Sequence, residues 1–144
     1  MNANELRKLA DGAPERKRQA EITKWEQELK HWLDGEWAKA RKAAEELKDR
    51  VHKSATEGKF KAIVYTAQAK FLEGPYSPVV ETIKTGWLSK KEEVVIRYIP
   101  DYAQYVFDSC PYELNPRWVG VDWWEHSAQG CSRGAREIQL HVSW

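Results

Sequence analysis

The longest regular pattern in the chain lies in residues 22–51, ITKWEQELKHWLDGEWAKARKAAEELKDRV. Its apolar residues recur at spacings of three and four and, at about 100° per residue, fall within a stripe about 120° wide. They are Ile22, Trp25, Leu29, Leu33, Trp37, Ala40, Ala44, Leu47 and Val51. The stripe keeps its phase across Asp34-Gly35, with Gly35 on the polar face. The pattern therefore predicts one continuous amphipathic helix from Pro14 to about Ala55, about 60 Å long.

A helix of this length is longer than one small domain can cover along its whole face. Its apolar period is about 3.6 residues rather than about 3.5, so packing on a domain or a neighbouring subunit is favoured over a two-stranded coiled coil. Upstream, residues 4–12 begin with a cap-type Asn and end at a Gly, which predicts a short preceding helix. Pro14 then suits the first turn of the long helix.

Shorter elements follow a predicted helix stop at Glu57-Gly58. Residues 60–72 are predicted to form a second helix, because their apolar side chains share one helical face about 100° wide. After the breaker GPYSP at 74–78, two β-branched runs at 79–87 and 92–99 predict a β-hairpin or meander.

The last third of the chain mixes both kinds of pattern. Residues 102–110 fit a short helix or a loop that enters one, and residues 111–116 are expected to be irregular. Residues 122–129 are predicted to be helical, and the alternation in 137–144 predicts a final strand.

These elements predict an α+β fold, with a long N-terminal amphipathic helix plus a second helix packed on a small antiparallel β-sheet. Residues 1–58 are expected to form an N-terminal helical arm and residues 59–144 an α+β core. Together they are expected to make a single compact domain overall, since 144 residues match the commonest domain size.

Composition narrows the class of protein. The chain has 23 Lys+Arg against 22 Asp+Glu, a net charge of +1, which argues against a general polyanion binder. Two cysteines do not make a disulfide framework. The sequence shows neither a signal segment nor an apolar run long enough to span a membrane. We therefore expect a cytoplasmic product with no membrane partner. A domain of this size needs no cofactor for stability.

Catalytic and metal-binding patterns are weak. His52 and His141 each begin a His-x-Ser triplet, which resembles the paired motif of two-histidine phosphoesterases, but His52 lies near the end of a charged helix. A zinc set could be drawn from Cys110, His126, Cys131 and His141, yet their spacing matches no known ligand pattern. Nothing in the sequence activates Cys131 beside His126 as a nucleophile. We therefore predict no enzyme, no catalytic residues, no metal and no cofactor.

Eight Trp residues are unusual for this length. Trp25, Trp37 and Phe71 lie on the predicted helix stripes and are expected in the core. The adjacent Trp123 and Trp124 cannot both face the same way on a helix, so one of them is expected to meet a partner. Because Trp and Tyr dominate interface hot spots, a protein–protein surface is favoured over a base-stacking platform, which would carry more Lys and Arg.

Four short motifs, in this order, resemble a known family. They are the segment KTGWL at 84–88, DYAQYVF at 101–107, Asn115-Pro116, and WWEHSA at 123–128. Together with the long N-terminal helix, they resemble the tail-completion (head-to-tail joining, neck) proteins of tailed bacteriophages, over roughly residues 14–130. The chain departs from the family pattern after Leu88, where Ser89 precedes Lys90-Lys91, and again at 107–110.

This resemblance implies a non-enzymatic structural virion protein of the neck. The subunit would be a tail-completion or tail-terminator protein, or a related minor capsid component, and would form a hexameric or dodecameric ring that joins the head connector or stopper to the tail tube. DNA would pass through its lumen without sequence-specific binding. The implied interface positions are Thr85, Gly86, Leu88, Tyr102, Ala103, Tyr105, Trp123 and Trp124.

A second hypothesis comes from another class of protein. A small cytoplasmic binding or inhibitor protein could use the Trp-rich end as a pocket for a protein or a nucleotide-like ligand. It would be a monomer or dimer, and its Trp fluorescence would be quenched saturably by the ligand.

Overall fold

A computed structural model describes residues 2–69, 76–86, 91–111, 113–126 and 132–144. The chain divides into two compact units, Met1–Glu36 and Trp37–Trp144. In chain order the elements are α1 (Ala3–Asp11), α2 (Ala13–Thr56), β1 (Lys61–Gln68), β2 (Val79–Thr85), β3 (Lys91–Tyr98), α3 (Asp101–Asp108), β4 (Asn115–His126) and β5 (Ser132–Ser143). The predicted α+β class is confirmed.

The first unit consists of α1 and the beginning of α2. A capping box starts α1: the Asn2 side chain accepts a hydrogen bond from the Glu5 backbone N–H at 2.9 Å, and the Glu5 carboxylate accepts one from the Asn2 N–H at 3.1 Å. Gly12 ends α1. The prediction of one unbroken helix across Asp34-Gly35 is confirmed, because α2 runs through both residues and belongs to both units.

The second unit contains two antiparallel sheets. One has the strand order β1-β5-β4, so β5 is central, and the other is the hairpin β2-β3. The predicted hairpin at 79–99 is therefore confirmed, although residues 87–90 lie outside the described part of the chain. The helical alternative for residues 102–110 is also correct, since α3 covers most of that segment.

The predicted second helix at residues 60–72 is wrong, because residues 61–68 form β1. The pairing of β1 with β5 shifts between Ile63 and Tyr65, and this bulge buries the consecutive residues Val64 and Tyr65 on the core side. An extra residue in a strand breaks the apolar alternation. The broken alternation produced the helix-like spacing in the sequence.

The predicted helix at residues 122–129 is also wrong as far as the structure describes it. Residues 115–126 form β4, which pairs with β5 without interruption from Asn115↔Ser143 to His126↔Ser132. The irregular segment is thus shorter than predicted, and the final strand begins at Ser132 rather than Glu137. A twelve-residue ladder of long-range hydrogen bonds overrides the weak local preference of WWEH.

The core of the second unit lies between the helices and the three-stranded sheet. Its buried apolar residues come mainly from α2, α3, β1 and β5, and they include Leu47, Val64, Tyr102, Val106, Ile138, Leu140 and Val142. The hairpin packs on β4 at Gly120, where a Cβ atom would lie 3.0 Å from side-chain carbons of Val94 and Ile96. Among the described residues, no helix is both long and apolar enough to cross a membrane.

Candidate functional site

The implied interface positions fall on three separate elements. Thr85 is the last residue of β2 and pairs with Lys91, and Gly86 follows it, exposed and with a φ of 106° that favours glycine. Leu88 lies outside the described residues. Trp123 and Trp124 occupy neighbouring positions of β4, opposite Ala135 and Gly134, and are thus in a strand rather than at the start of a helix.

The three positions on α3 form one cluster with α2. Tyr102 and Ala103 are buried, whereas Tyr105 is 42% exposed. The Trp37 ring contacts both tyrosines, with centroid distances of 6.5 Å to Tyr102 and 5.9 Å to Tyr105. Tyr102 and Ala103 therefore hold α3 in the core, and Tyr105 is the member of this cluster that a partner can reach.

The described residues that were considered for catalysis or metal binding lie on separate elements. His52 is exposed on α2, and His141 lies on β5. Cys110 follows α3, and its Sγ lies 3.6 Å from the Val106 carbonyl oxygen; burial raises the pKa of this thiol. Cys131 is not among the described residues, and within the described ranges no group of three His, Cys, Asp or Glu side chains is placed to hold a metal ion.

The first unit exposes its apolar residues. None of residues 2–36 is buried. Leu6 and Leu9 on α1 are 52% and 50% exposed, and Ile22 and Trp25 on α2 are 42% and 51% exposed. The expectation that Trp25 is a core residue is therefore wrong, Trp37 is half-buried, and Phe71 lies outside the described residues. The apolar stripe in the sequence predicted the helix correctly but did not predict that its apolar side chains are exposed. Periodicity identifies an apolar face and does not indicate what covers it.

A groove of about 310 Å³ lies between α2 and β1 and is lined on the helix side by Lys39, Lys42, Glu46 and Arg50. Glu46 forms ion pairs with Lys42 at 3.9 Å and with Arg50 at 3.6 Å. These two ion pairs compensate part of the positive charge of the groove.

A second cleft, of about 470 Å³, lies at one end of the three-stranded sheet. It is lined by Lys61, Asn115, Pro116, Arg117, His141, Val142 and Ser143. Burial, and then the charges of Arg117 and Lys61, lower the pKa of His141. Sequence reasoning considered His141 as part of a His-x-Ser motif with Ser143 and as a possible zinc ligand. It missed their neighbours because these come together only through the β1-β5-β4 pairing.

Comparison of the chain with protein-family models, with curated proteins and with solved structures gives no match. The fold defines an α+β protein with a helical N-terminal segment.

Proposed function

We propose that the protein is a non-enzymatic assembly subunit that associates through its N-terminal helical segment. The observation that carries this proposal is the exposure of an apolar helical stripe in a unit with no buried residue. A stable amphipathic helix normally buries such a stripe against another element. Among residues 2–36, Leu6, Leu9, Ile22 and Trp25 remain 42% to 52% exposed.

Covering these exposed side chains would contribute to assembly. Full burial of a large apolar side chain contributes about 1.5–3 kcal/mol, so covering the exposed half of one contributes about 1 kcal/mol. Ile22 and Trp25 on α2 would give about 2 kcal/mol, and Leu6 and Leu9 on α1 would give a similar amount. One such contact is weak, since association also costs about 4–15 kcal/mol in lost freedom of motion. A closed ring repeats the same contact at every subunit, which makes individually modest contacts cooperative.

The finer form of the proposal is a ring in the neck of a tailed phage, where this subunit would join the head connector to the tail tube. The order of the motifs at 84–88, 101–107 and 123–128 supports this role through its resemblance to tail-completion proteins. A head-to-tail ring needs two different complementary surfaces on each subunit. The helical segment would be one surface, and a region of the second unit that includes Tyr105 would be the other.

The test is the molar mass in solution, measured by light scattering over a concentration series. The wild-type chain is expected to form a closed assembly of about six or twelve copies. The variant Ile22→Glu/Trp25→Glu places two charges in the exposed stripe and is expected to be monomeric. Ala20→Glu/Gln27→Glu adds the same charges on the opposite face of α2, where both residues are exposed, and should assemble like the wild type.

Electron microscopy of the assembled fraction separates the general proposal from the finer one. Rings with an open channel that bind a purified phage connector would support the neck role. Assemblies without a channel would contradict the neck role and would support an assembly subunit of another kind. A wild-type chain that stays monomeric at all concentrations, alone and with connector proteins, would refute both and favour the small binding protein.

A further inference from the structure

We propose that the cleft at the end of the three-stranded sheet binds a phosphate group, held by Lys61, Arg117 and His141. This inference does not depend on the assembly role proposed above. It rests on three observations: the convergence of polar side chains from three strands, the lack of an ion pair to Lys61 or Arg117 among the described residues, and the hydrogen bonds that fix the His141 ring.

The strand register brings the polar side chains together. Ser143 on the central strand β5 is paired with Lys61 on one side and with Asn115 on the other, and His141 is paired with Arg117. Cross-strand partners lie on the same face with Cβ atoms about 5 Å apart, and residues two apart on a strand are about 7 Å apart. Five side chains able to donate hydrogen bonds therefore share a patch about 7 by 10 Å.

The positive charge of this patch is not compensated. Lys61 and Arg117 are exposed, and neither forms an ion pair with any carboxylate in the described part of the chain. The nearest acid on β5 is Glu137, whose carboxylate is linked to the His141 ring only through the Gln139 amide. The cleft differs in this respect from the groove between α2 and β1, where Glu46 pairs with its basic neighbours.

A chain of side-chain hydrogen bonds orients His141. Gln139 Nε2 donates to Glu137 Oε1 at 2.8 Å, so the Gln139 amide oxygen is the acceptor that faces His141 at 3.0 Å. His141 Nε2 must then carry the hydrogen, and Nδ1 is the atom that takes up a second proton. An anion beside the ring would favour this protonated form and would give the site a third cation.

A phosphate group fits this donor set better than a carboxylate. Its several terminal oxygens can accept hydrogen bonds from donors on three different strands at once, and a guanidinium such as that of Arg117 can bind two of them together. A carboxylate has only two oxygens and would leave part of the set unused. The phosphate can come from a nucleic-acid backbone or from free phosphate, and the experiment below separates these sources.

The experiment uses the full chain and follows the His141 ring signals by NMR at low salt. The probes are inorganic phosphate, single-stranded oligothymidylate, and polyglutamate as the carboxylate comparison. Phosphate binding should shift the His141 signals and move the pKa of its ring upward. The variant Lys61→Gln/Arg117→Gln should weaken binding about tenfold. For the oligonucleotide, each lost contact should reduce the slope of log affinity against log salt by about 0.7.

Lys48→Gln/Lys53→Gln is the matched control, since it removes two exposed positive charges from α2 and leaves the cleft intact. It should change the affinity less than twofold. Binding of both phosphate probes supports a general phosphate site, binding of the oligonucleotide alone supports a nucleic-acid backbone, and binding of inorganic phosphate alone supports a small ligand. The proposal is overturned if neither probe shifts His141, if polyglutamate binds as well as the phosphate probes, or if the control variant loses as much affinity as the cleft variant.

Discussion

Replacing Gly120 by alanine should destabilise the second unit, because the hairpin packs directly on the backbone of β4 at this residue. A Cβ atom there would lie 3.0 Å from Val94 Cγ1, 3.0 Å from Ile96 Cγ1 and 3.3 Å from Val80 Cγ1. Carbon atoms pack best at about 3.5–4.0 Å, so each of the two shortest contacts is too close by about 0.5–1 Å.

The neighbouring side chains cannot easily move away. All three are β-branched, with stiff χ1 angles, and they belong to two paired strands, so relief requires the hairpin to shift as a whole. Overpacking of this kind costs about 1–3 kcal/mol. Alanine also recovers about 0.5–1 kcal/mol of backbone entropy relative to glycine, which leaves an expected net loss of about 1 kcal/mol at the middle of these ranges.

Urea unfolding followed by circular dichroism measures this loss. With an m-value of about 2 kcal/mol/M, the midpoint should fall by about 0.5 M while the slope stays the same. Gly35→Ala is the matched control. Outside the backbone of its own helix, no atom lies within 4 Å of the added Cβ, and alanine is favoured over glycine in a helix. This variant should therefore be at least as stable as the wild type. Val94→Ala should partly rescue Gly120→Ala in a double-mutant cycle. A Gly120→Ala variant as stable as the wild type would refute the inferred close packing of hairpin and sheet.

Three further perturbations probe the link between the sheets, the end of α2 and the cleft. The Asp122 side chain is 3% exposed, accepts a hydrogen bond from Thr82 Oγ1 at 2.5 Å and lies 3.4 Å from Arg136 Nε. Asp122→Ala should therefore lower the free energy of unfolding, measured by urea titration, by about 2–3 kcal/mol. A loss under about 1 kcal/mol would contradict a stabilising link between the hairpin and β4 through Asp122. Gly58 has a φ of 82° and open space around it. Gly58→Ala should therefore lower the free energy of unfolding by about 1 kcal/mol, and Gly58→Asn should lower it less, because Asn tolerates a positive φ better than Ala. Equal losses in the two variants would argue against backbone strain as the cause. The pKa of His141 is lowered in the folded protein, so the unfolded chain binds more protons. The free energy of unfolding should therefore fall as the pH drops below about 6.5 toward the lowered pKa of His141. A His141→Gln variant with the same pH dependence of stability as the wild type would contradict the assignment of this effect to His141.

The sequence predicted the regular helical features better than the strands. The apolar stripe of α2 repeats over many turns, so one residue that disfavours a helix, such as Gly35, does not obscure the pattern. The hairpin at 79–99 was predictable for a similar reason, since both of its strands are rich in β-branched residues. By contrast, β1 carries a bulge between Ile63 and Tyr65, and its apolar spacing then resembles that of a helix.

The candidate sites were less predictable than the elements. The cleft combines Lys61 with Arg117 and His141, which are far apart in the chain and meet only through the strand register. No local motif marks such a site. The apolar stripe of the first unit was visible in the sequence, but Trp25 was assigned to the core because a stripe shows an apolar face without showing whether anything in the same chain covers it.

What the sequence by itself determined is therefore local: the α+β class, the long helix with its apolar face, and the hairpin. These follow from periodicity, turn residues and capping, which act over a few neighbouring residues. The tertiary structure alone decided that residues 61–68 and 115–126 are strands, that β5 is central, and which side chains share the cleft. Strand pairing depends on partners that are distant in the chain, and no local pattern encodes that choice.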